Sequence, residues 1–318
     1  MTIAFTFPGQ GSQAVGMGKA LAATYPEARA VFEEVDEALG EKLSNVMWEG
    51  PAEALTLTEN AQPALMAVSL AVIRVLQGRG IYPQTNVAYV AGHSLGEYSA
   101  LASAGALRLS DAAKLLRIRG SAMQKAVAVG VGAMAALIGP DLASARKIAS
   151  EAAAGQVCDV ANDNGAGQVV VSGDRAAVER AIELAKALGA KRAILLPVSA
   201  PFHCALMSPA AKTMEEALRA VEFTSPVVPL VANVVAGPIS DPDEIRRRLV
   251  EQVTSMVRWR ESISWLADAG VDLFVEIGSG KVLSGLAKRI VSGAETLTIG
   301  TPDDIDAAAE RLSRPPIG

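Results

Sequence analysis

The segment 92–96, Gly-His-Ser-Leu-Gly, constrains the fold more than any other part of the chain. It follows a short apolar run, residues 87–91, that is typical of a buried parallel strand, and a helical pattern begins at residue 97. Strand, sharp turn and helix in this order form a nucleophile elbow, in which flanking glycines permit the turn that exposes the serine. The segment predicts an α/β fold and makes Ser94 a candidate nucleophile, with an accidental glycine-rich turn as the alternative.

Composition favours the same fold class. Half of the 318 residues are hydrophobic but only 4% are aromatic, which suits helices packed on a parallel sheet better than an all-β sandwich. A net charge of −5 gives no sign of a nucleic-acid partner. Two cysteines cannot build a disulfide framework, and two histidines with two scattered cysteines make a metal site implausible. We expect a cytoplasmic protein without a membrane segment or a metal.

The order of predicted elements changes near residue 130. From there the pattern reads βαββαβ, which is the order of a ferredoxin-like unit. The predicted strands are 133–138, 157–161, 168–172 and 192–198, and the predicted helices are 142–154 and 175–188. We therefore predict a larger α/β-hydrolase-like domain with a parallel sheet, residues 1–129 and 199–318, and an inserted ferredoxin-like subdomain, residues 130–198.

A nucleophilic serine needs a general base within hydrogen-bond reach, and the chain offers two histidines. His93 adjoins Ser94, and successive side chains that leave a strand point to opposite faces. His203 is therefore the candidate base, with a hydrogen-bonded core histidine as the alternative. An ordinary α/β hydrolase places an acid between serine and histidine. The aspartates at 159–174 fall in the insertion, which favours a neutral partner for His203.

Two polar residues lie on otherwise apolar helix faces. Gln252 shares a face with Ile245 and Leu249, so it needs a buried partner or lies half in water at the boundary. Arg119 lies within the apolar face of the helix that follows residue 111. Burying an arginine alone is very costly. Arg119 is expected either to pair with a buried carboxylate or to bind a substrate carboxylate, and spacing alone does not decide.

Residues 9–14, Gly-Gln-Gly-Ser-Gln-Ala, follow a predicted strand at 3–7 and superficially match a dinucleotide-binding loop. The next element, residues 26–39, is predicted to be a helix, and no second strand ends in an acidic residue at the expected distance. The fingerprint is incomplete, so we predict no cofactor. The glycines can instead let the backbone and Gln10 approach another ligand.

Taken together, the motifs resemble the malonyl-CoA:acyl carrier protein transacylases over nearly the whole chain. The matching segments are 7–13, 62–65, 92–98, 117–120, 132–136, 167–170, 202–203 and 276–283. The resemblance implies that malonyl-CoA acylates Ser94 and that His203 acts as base and then as acid. The malonyl group then passes to the phosphopantetheine thiol of acyl carrier protein.

The resemblance also assigns expected roles to the other candidates. Gln10 and the backbone N–H of Leu95 would form the oxyanion hole, and Arg119 would bind the malonyl carboxylate. Gln252 matches a position that supports the histidine through its backbone or its side chain. Basic residues at matching positions near the cleft would receive the acidic carrier protein, with a solvated surface as the alternative. These residues are Lys191, Arg192, Lys288 and Arg289.

Two segments depart from the family pattern. Ser255 and Met256 stand where the family usually has Asn-Pro, and the segment that begins at Asn162 lacks the usual proline. We expect a monomer. Two other functions use the same sequence features: a serine thioesterase or esterase with the same elbow, and a scaffold subunit without catalytic activity. The second is disfavoured because nucleophile and base are both present.

Overall fold

The computed structural model describes residues 1–312, which contain two separate sheets. Central strands of the larger sheet are buried on both faces, as expected where helices cover a parallel sheet. The strands are β1 (Ile3–Phe7), β2 (Tyr89–Gly92), β3 (Gly132–Ile138), β4 (Cys158–Asp163), β5 (Gln168–Asp174), β6 (Arg192–Leu195), β7 (Leu230–Ala232), β8 (Gly237–Ile239), β9 (Leu273–Ile277) and β10 (Glu295–Ile299).

The larger sheet has six strands in the order β10-β9-β1-β2-β7-β8. Every neighbouring pair is parallel except β7 and β8, which are antiparallel. The predicted α/β class with a parallel sheet is confirmed. Strand β2 lies between β1 and β7, so the carboxyl ends of these strands meet at one edge, where ligand sites of open α/β sheets form.

The helices cover the faces of both sheets. Helix α12 has a capped N-terminus: the Asp241 side chain accepts a hydrogen bond from the amide of Glu244, and Pro242 occupies the first turn. The helices are α1 (Lys19–Thr24), α2 (Pro26–Leu39), α3 (Leu43–Glu49), α4 (Ala52–Thr56), α5 (Thr58–Gly78), α6 (Pro83–Asn86), α7 (Gly96–Ser103), α8 (Leu109–Lys125), α9 (Leu142–Ala153), α10 (Arg175–Ala187), α11 (Ser208–Arg219), α12 (Pro242–Gln252), α13 (Trp259–Asp268), α14 (Val282–Ile290) and α15 (Pro302–Leu312).

The smaller sheet is antiparallel, with the order β4-β5-β3-β6. Together with α9 and α10 its strands follow the predicted βαββαβ order inside residues 130–198. Strand β6 ends at Leu195, three residues earlier than predicted, because residues 196–198 leave the sheet and line a cavity. The bounds 130 and 198 of the subdomain stay a prediction.

Helix α5 is the apolar centre of the larger domain. It begins at Thr58, so Pro63 lies inside the helix and does not open it. The buried face continues through the proline, and each fully buried aliphatic side chain there contributes about 1.5–3 kcal/mol. Among the described helices, α5 alone is long and apolar enough to cross a membrane. However, 83% of its most apolar window is buried within the protein, as in a core helix.

Candidate active site

Ser94 lies on the turn between β2 and α7, with a positive φ of 54°. Glycine is required at positions 92 and 96 because neighbouring backbone atoms lie too close for a Cβ atom, not because either residue has a positive φ. A Cβ at Gly92 would lie 1.9 Å from the carbonyl carbon of Gly96, and a Cβ at Gly96 would lie 2.3 Å from the carbonyl oxygen of Phe7. The turn is therefore as tight as the sequence predicts, and it holds the serine in a strained conformation.

Asn233, fully buried after β7, fixes this turn from the neighbouring strand. Its Oδ1 accepts from the Ser94 amide at 2.8 Å, and its Nδ2 donates to the Gly92 carbonyl at 2.7 Å. The backbone N–H of Asn233 donates to Glu97 Oε1 at 2.5 Å. One side chain thus bridges both sides of the nucleophile, and these hydrogen bonds offset the cost of the positive φ.

The Ser94 hydroxyl and the His203 ring are hydrogen-bonded, with 2.8 Å between Oγ and Nε2. Nδ1 lies 2.9 Å from the backbone carbonyl oxygen of Gln252. A carbonyl only accepts, so Nδ1 carries the proton and Nε2 is free to accept from the serine. Burial, reinforced by the nearby Arg119, lowers the pKa of His203 to about 3. The histidine is therefore neutral near pH 7, the state that a general base requires.

Arg119 projects from α8 into the same site and is 1% exposed. Its Nη1 donates to Gln62 Oε1 at 2.8 Å. Its Nη2 donates to Gln252 Oε1 at 2.7 Å and to Ser94 Oγ at 3.1 Å. No carboxylate lies within ion-pair distance of the guanidinium among residues 1–312, and Nε has no hydrogen-bond partner there. The buried ion pair considered from the sequence is absent from this part of the chain.

Gln252, the last residue of α12, is also fully buried. Its Nε2 donates to Glu97 Oε2 at 2.5 Å and to the Ser94 carbonyl at 3.0 Å. The half-exposed boundary position is therefore wrong, and the buried polar alternative is confirmed. Its backbone carbonyl contacts His203, whereas its side chain contacts Arg119 and Glu97.

Gln10 and Leu95 lie beside the nucleophile. Both line a cavity of about 440 Å³ that also exposes Ser94, His203 and Arg119. The Leu95 amide has no hydrogen-bond partner within the described chain and lies at the start of α7, where the helix dipole favours negative charge. The Gln10 side chain donates to Thr58 Oγ1 at 3.3 Å. All six site residues expected from the sequence therefore border one cavity or support its wall.

His93 does not compete for the nucleophile. Its Nε2 lies 3.0 Å from Asn164 Oδ1, and its ring packs at 5.4 Å from the Trp259 ring. Burial lowers the pKa of His93, so it too is neutral near pH 7. His93 lines the cavity beside Ser94, but the partner of the serine hydroxyl is His203, as predicted.

The two segments that depart from the family pattern meet at the site. Asn162 is buried, lines the cavity and forms an isolated parallel bridge with Val257. Ser255 and Met256 line an adjacent open groove of about 840 Å³, of which His203 is another wall. The altered sequence therefore still joins the small sheet to the loop after α12.

The four basic candidates for carrier-protein docking are exposed and lie outside the cavity lining. Arg192 pairs with Ile138, which pairs on its other side with Gln168. Arg289 Nη2 lies 3.4 Å from Gln168 Oε1. The two basic pairs, which are 96 residues apart in the chain, therefore lie at the same end of the small sheet.

Sequence reasoning missed Asn233 and the central position of Glu97. Asn233 offered one usable signal, since it is a polar residue directly after a short apolar strand of the parallel sheet. Glu97 lies within the segment 92–98 that resembles the family, but nothing in its spacing indicates which groups its carboxylate contacts.

Ser94 lies at the carboxyl end of a parallel strand, is hydrogen-bonded to a neutral histidine and is adjacent to a buried arginine. This arrangement is typical of α/β enzymes that act on acyl groups. The family model of the acyl transferase domain matches residues 4–298. A "Malonyl CoA-acyl carrier protein transacylase" of Bacillus subtilis is 47% identical over 98% of this chain and 97% of its own length. The chain therefore belongs to the acyl transferase family, among the malonyl CoA-acyl carrier protein transacylases.

Two solved structures agree with this placement. The acyl-carrier-protein-S-malonyltransferase of Bartonella henselae superposes with a TM-score of 0.97 and 59% identity, covering 99% of this chain and all of that one. A malonyl-transacylase solved in complex with a type II PKS acyl-carrier protein gives a TM-score of 0.95 and 42% identity, covering 98% of this chain and all of that one.

Proposed function

We propose that the protein transfers the malonyl group from malonyl-CoA to the phosphopantetheine thiol of acyl carrier protein, through a malonyl ester on Ser94, for fatty acid chain elongation. The observation that carries the proposal is the 3.1 Å contact between Arg119 Nη2 and Ser94 Oγ. It puts a buried cation, which has no carboxylate partner among residues 1–312, beside the nucleophile, and this suits an acyl group that bears its own carboxylate. The names of the relatives support the same substrate.

In the first half-reaction, His203 Nε2 takes the proton of the Ser94 hydroxyl while Oγ attacks the thioester carbonyl of malonyl-CoA. The negative charge that develops on the carbonyl oxygen is stabilised by the backbone N–H of Leu95 and by Gln10. The tetrahedral intermediate collapses with cleavage of the carbon–sulfur bond. The protonated His203 returns its proton to the leaving sulfur, so free coenzyme A departs and malonyl-Ser94 remains.

The second half-reaction reverses these steps with another thiol. His203 takes the proton of the phosphopantetheine thiol, and the sulfur attacks the ester carbonyl of malonyl-Ser94. The carbon–oxygen bond breaks, and Ser94 Oγ recovers the proton from His203. The Gln252 carbonyl holds Nδ1–H throughout, so a neutral acceptor orients the histidine. The chemistry needs no resident cofactor, because each substrate brings its own thioester or thiol.

The basic residues at the end of the small sheet are the proposed docking surface for acyl carrier protein. A cluster of like charges attracts an acidic partner and raises its association rate. Reversing the charges of Lys288 and Arg289 is expected to raise the KM for carrier protein and flatten its salt dependence. Transfer to free pantetheine should not change. Lys114→Glu, on the exposed side of α8, is the control. An equal effect of the control would contradict the surface.

The proposed location is the cytoplasm, which suits an enzyme with two buried free thiols and a buried apolar helix. The decisive experiment is intact-mass analysis after mixing the protein with malonyl-CoA, without carrier protein. We expect one malonyl adduct on Ser94 and none in Ser94→Ala. Rapid release of free malonate without any thiol acceptor would establish a thioesterase instead. An unlabelled Ser94 would refute the proposal.

A further inference from the structure

The geometry points to a positioning role for Glu97: through the side-chain amide of Gln252, this buried carboxylate fixes the orientation of Arg119 toward the acyl group. The inference rests on the proposed function, because it concerns how the same site selects an acyl group with a negative charge.

Glu97 lies on α7, three residues after the nucleophile, and is 1% exposed. Each of its carboxylate oxygens accepts one N–H group at 2.5 Å: Oε1 from the Asn233 backbone and Oε2 from the Gln252 side chain. Burial raises the pKa of Glu97, although these two donors and Arg119 act in the opposite direction. Each carboxylate oxygen faces an N–H donor, and the hydrogen of a protonated carboxyl would be directed at one of them, so the geometry fits the ionised form.

This arrangement determines which way the Gln252 amide points. Its NH2 group faces two groups that only accept, the Glu97 carboxylate and the Ser94 carbonyl. The amide oxygen must then face the other way, where it accepts from Arg119 Nη2 at 2.7 Å. Glu97 therefore determines that the oxygen of the Gln252 amide faces Arg119, and this oxygen holds the guanidinium beside Ser94.

The amide also separates two buried charges. A carboxylate in direct contact with Arg119 would occupy the donors that a substrate carboxylate needs. With Gln252 between them, Glu97 still compensates the buried cation at longer range, as its effect on the pKa of Arg119 indicates. The guanidinium keeps its Nε without a partner in the described chain. Glu97 thus stabilises Arg119 without competing for the substrate.

Glu97→Gln tests this role with almost no change in shape. The Asn233 backbone N–H cannot turn, so the new amide must present its oxygen there and its NH2 to Gln252. Gln252 must then rotate and direct its own NH2 at Arg119, or lose the bond. We expect single-turnover acylation of Ser94 by malonyl-CoA to fall about 10- to 100-fold, as for a lost hydrogen bond to a charged group. Acylation by acetyl-CoA should fall far less.

A double-mutant cycle with Arg119→Ala isolates the path of the effect. If Glu97 acts through Arg119, Glu97→Gln should leave malonyl acylation nearly unchanged in the Arg119→Ala background. Gln252→Met provides a second test should Glu97→Gln fail to fold. It removes the amide but keeps the backbone carbonyl that holds His203, so it should show the same malonyl-selective loss.

Glu276→Gln is the matched control. Glu276 is likewise a fully buried carboxylate that accepts two N–H groups, from Leu283 at 3.1 Å and Ser284 at 2.7 Å, but it does not line the cavity. The Glu276→Gln variant should lose stability, yet its malonyl-to-acetyl ratio should equal that of the wild type. Equal losses for both acyl groups in Glu97→Gln, or additive effects with Arg119→Ala, would overturn the positioning role. If the wild type itself forms no malonyl-Ser94, the proposed function fails instead.

Discussion

His203 donates its Nδ1–H to the backbone carbonyl of Gln252 at 2.9 Å, where many serine enzymes place a carboxylate. A carbonyl fixes the tautomer and the ring orientation as a carboxylate would, but it brings no charge to stabilise an imidazolium. The protonated histidine is further disfavoured by burial and by Arg119. His203 is therefore a base that carries its proton only during the reaction.

The acylation rate should consequently depend little on pH above the acid range. Because burial lowers the pKa of His203 to about 3, the ring stays neutral from about pH 8 down to about pH 5. We expect the single-turnover rate with acetyl-CoA, which depends far less on Glu97 and Arg119 than the malonyl rate does, to stay level across that range when measured by quenched mass spectrometry. A half-maximal rate near the ordinary histidine pKa of about 6.5 would contradict the assigned environment.

Stability should fall as the pH drops below about 6.5, so the folded fraction must be measured beside the rate. Between the unfolded pKa of about 6.5 and the folded pKa of His203 near 3, only the unfolded chain binds the proton. The free energy of unfolding due to this group therefore decreases as pH falls through that window. His203→Ala should remove this contribution, and circular dichroism on both proteins measures the difference.

Much of the fold could be predicted from local patterns. The apolar runs at β1 and β2 and the βαββαβ order were sufficient, because buried strands and amphipathic helices have strong local signals. Strands β8 and β10 escaped prediction. Strand β8 is only three residues long and contains Pro238, and β10 is an edge strand with three half-buried residues. Neither carries the continuous apolar run that marked the central strands.

In the site, too, local sequence patterns identify some residues, whereas the contacts between residues depend on three-dimensional packing. Three residues could be found from the sequence. The elbow motif indicates Ser94, the presence of two histidines in the whole sequence indicates His203, and a charge on an apolar helix face indicates Arg119. The contacts of Gln252 and Glu97 could not be found, since they depend on helices α7, α8 and α12 meeting at one point. Sequence indicated that Gln252 needs a buried partner, but only three-dimensional packing identifies that partner as Arg119 and Glu97.

Asn233→Ala should slow the reaction of Ser94 although Asn233 does not line the cavity. The change leaves the Ser94 amide and the Gly92 carbonyl without their partners at a strained turn. We expect a loss of about 2–4 kcal/mol in unfolding free energy and about 10- to 100-fold slower acylation with both malonyl-CoA and acetyl-CoA. Ser69→Ala, which removes a buried hydrogen bond to the Ile277 carbonyl, is the control. It should lose stability but keep its acylation rate.

The positive φ of Ser94 can be measured by comparing two inactive variants. Ser94→Ala and Ser94→Gly both remove the nucleophile, but only glycine adopts a φ of 54° without steric cost. The glycine variant should therefore unfold about 1–2 °C above the alanine variant, which corresponds to roughly 1 kcal/mol in a chain of this size. Calorimetry on the two proteins decides. A lower melting temperature for glycine would show that the turn is not strained.

Arg119→Ala should separate malonyl from acetyl transfer. Only malonyl carries a carboxylate for the guanidinium to bind, so its acylation rate should fall about 100- to 1000-fold, the range for removing one partner of a buried charge pair. Acetyl transfer should fall much less, and Arg119→Lys should be intermediate because it keeps the charge but not the paired donors. Arg117→Ala is the control, since Arg117 lies on the same helix and contacts Glu41 and Asn60 outside the cavity. Equal losses for malonyl and acetyl in Arg119→Ala would mean that Arg119 orients Ser94 rather than the substrate.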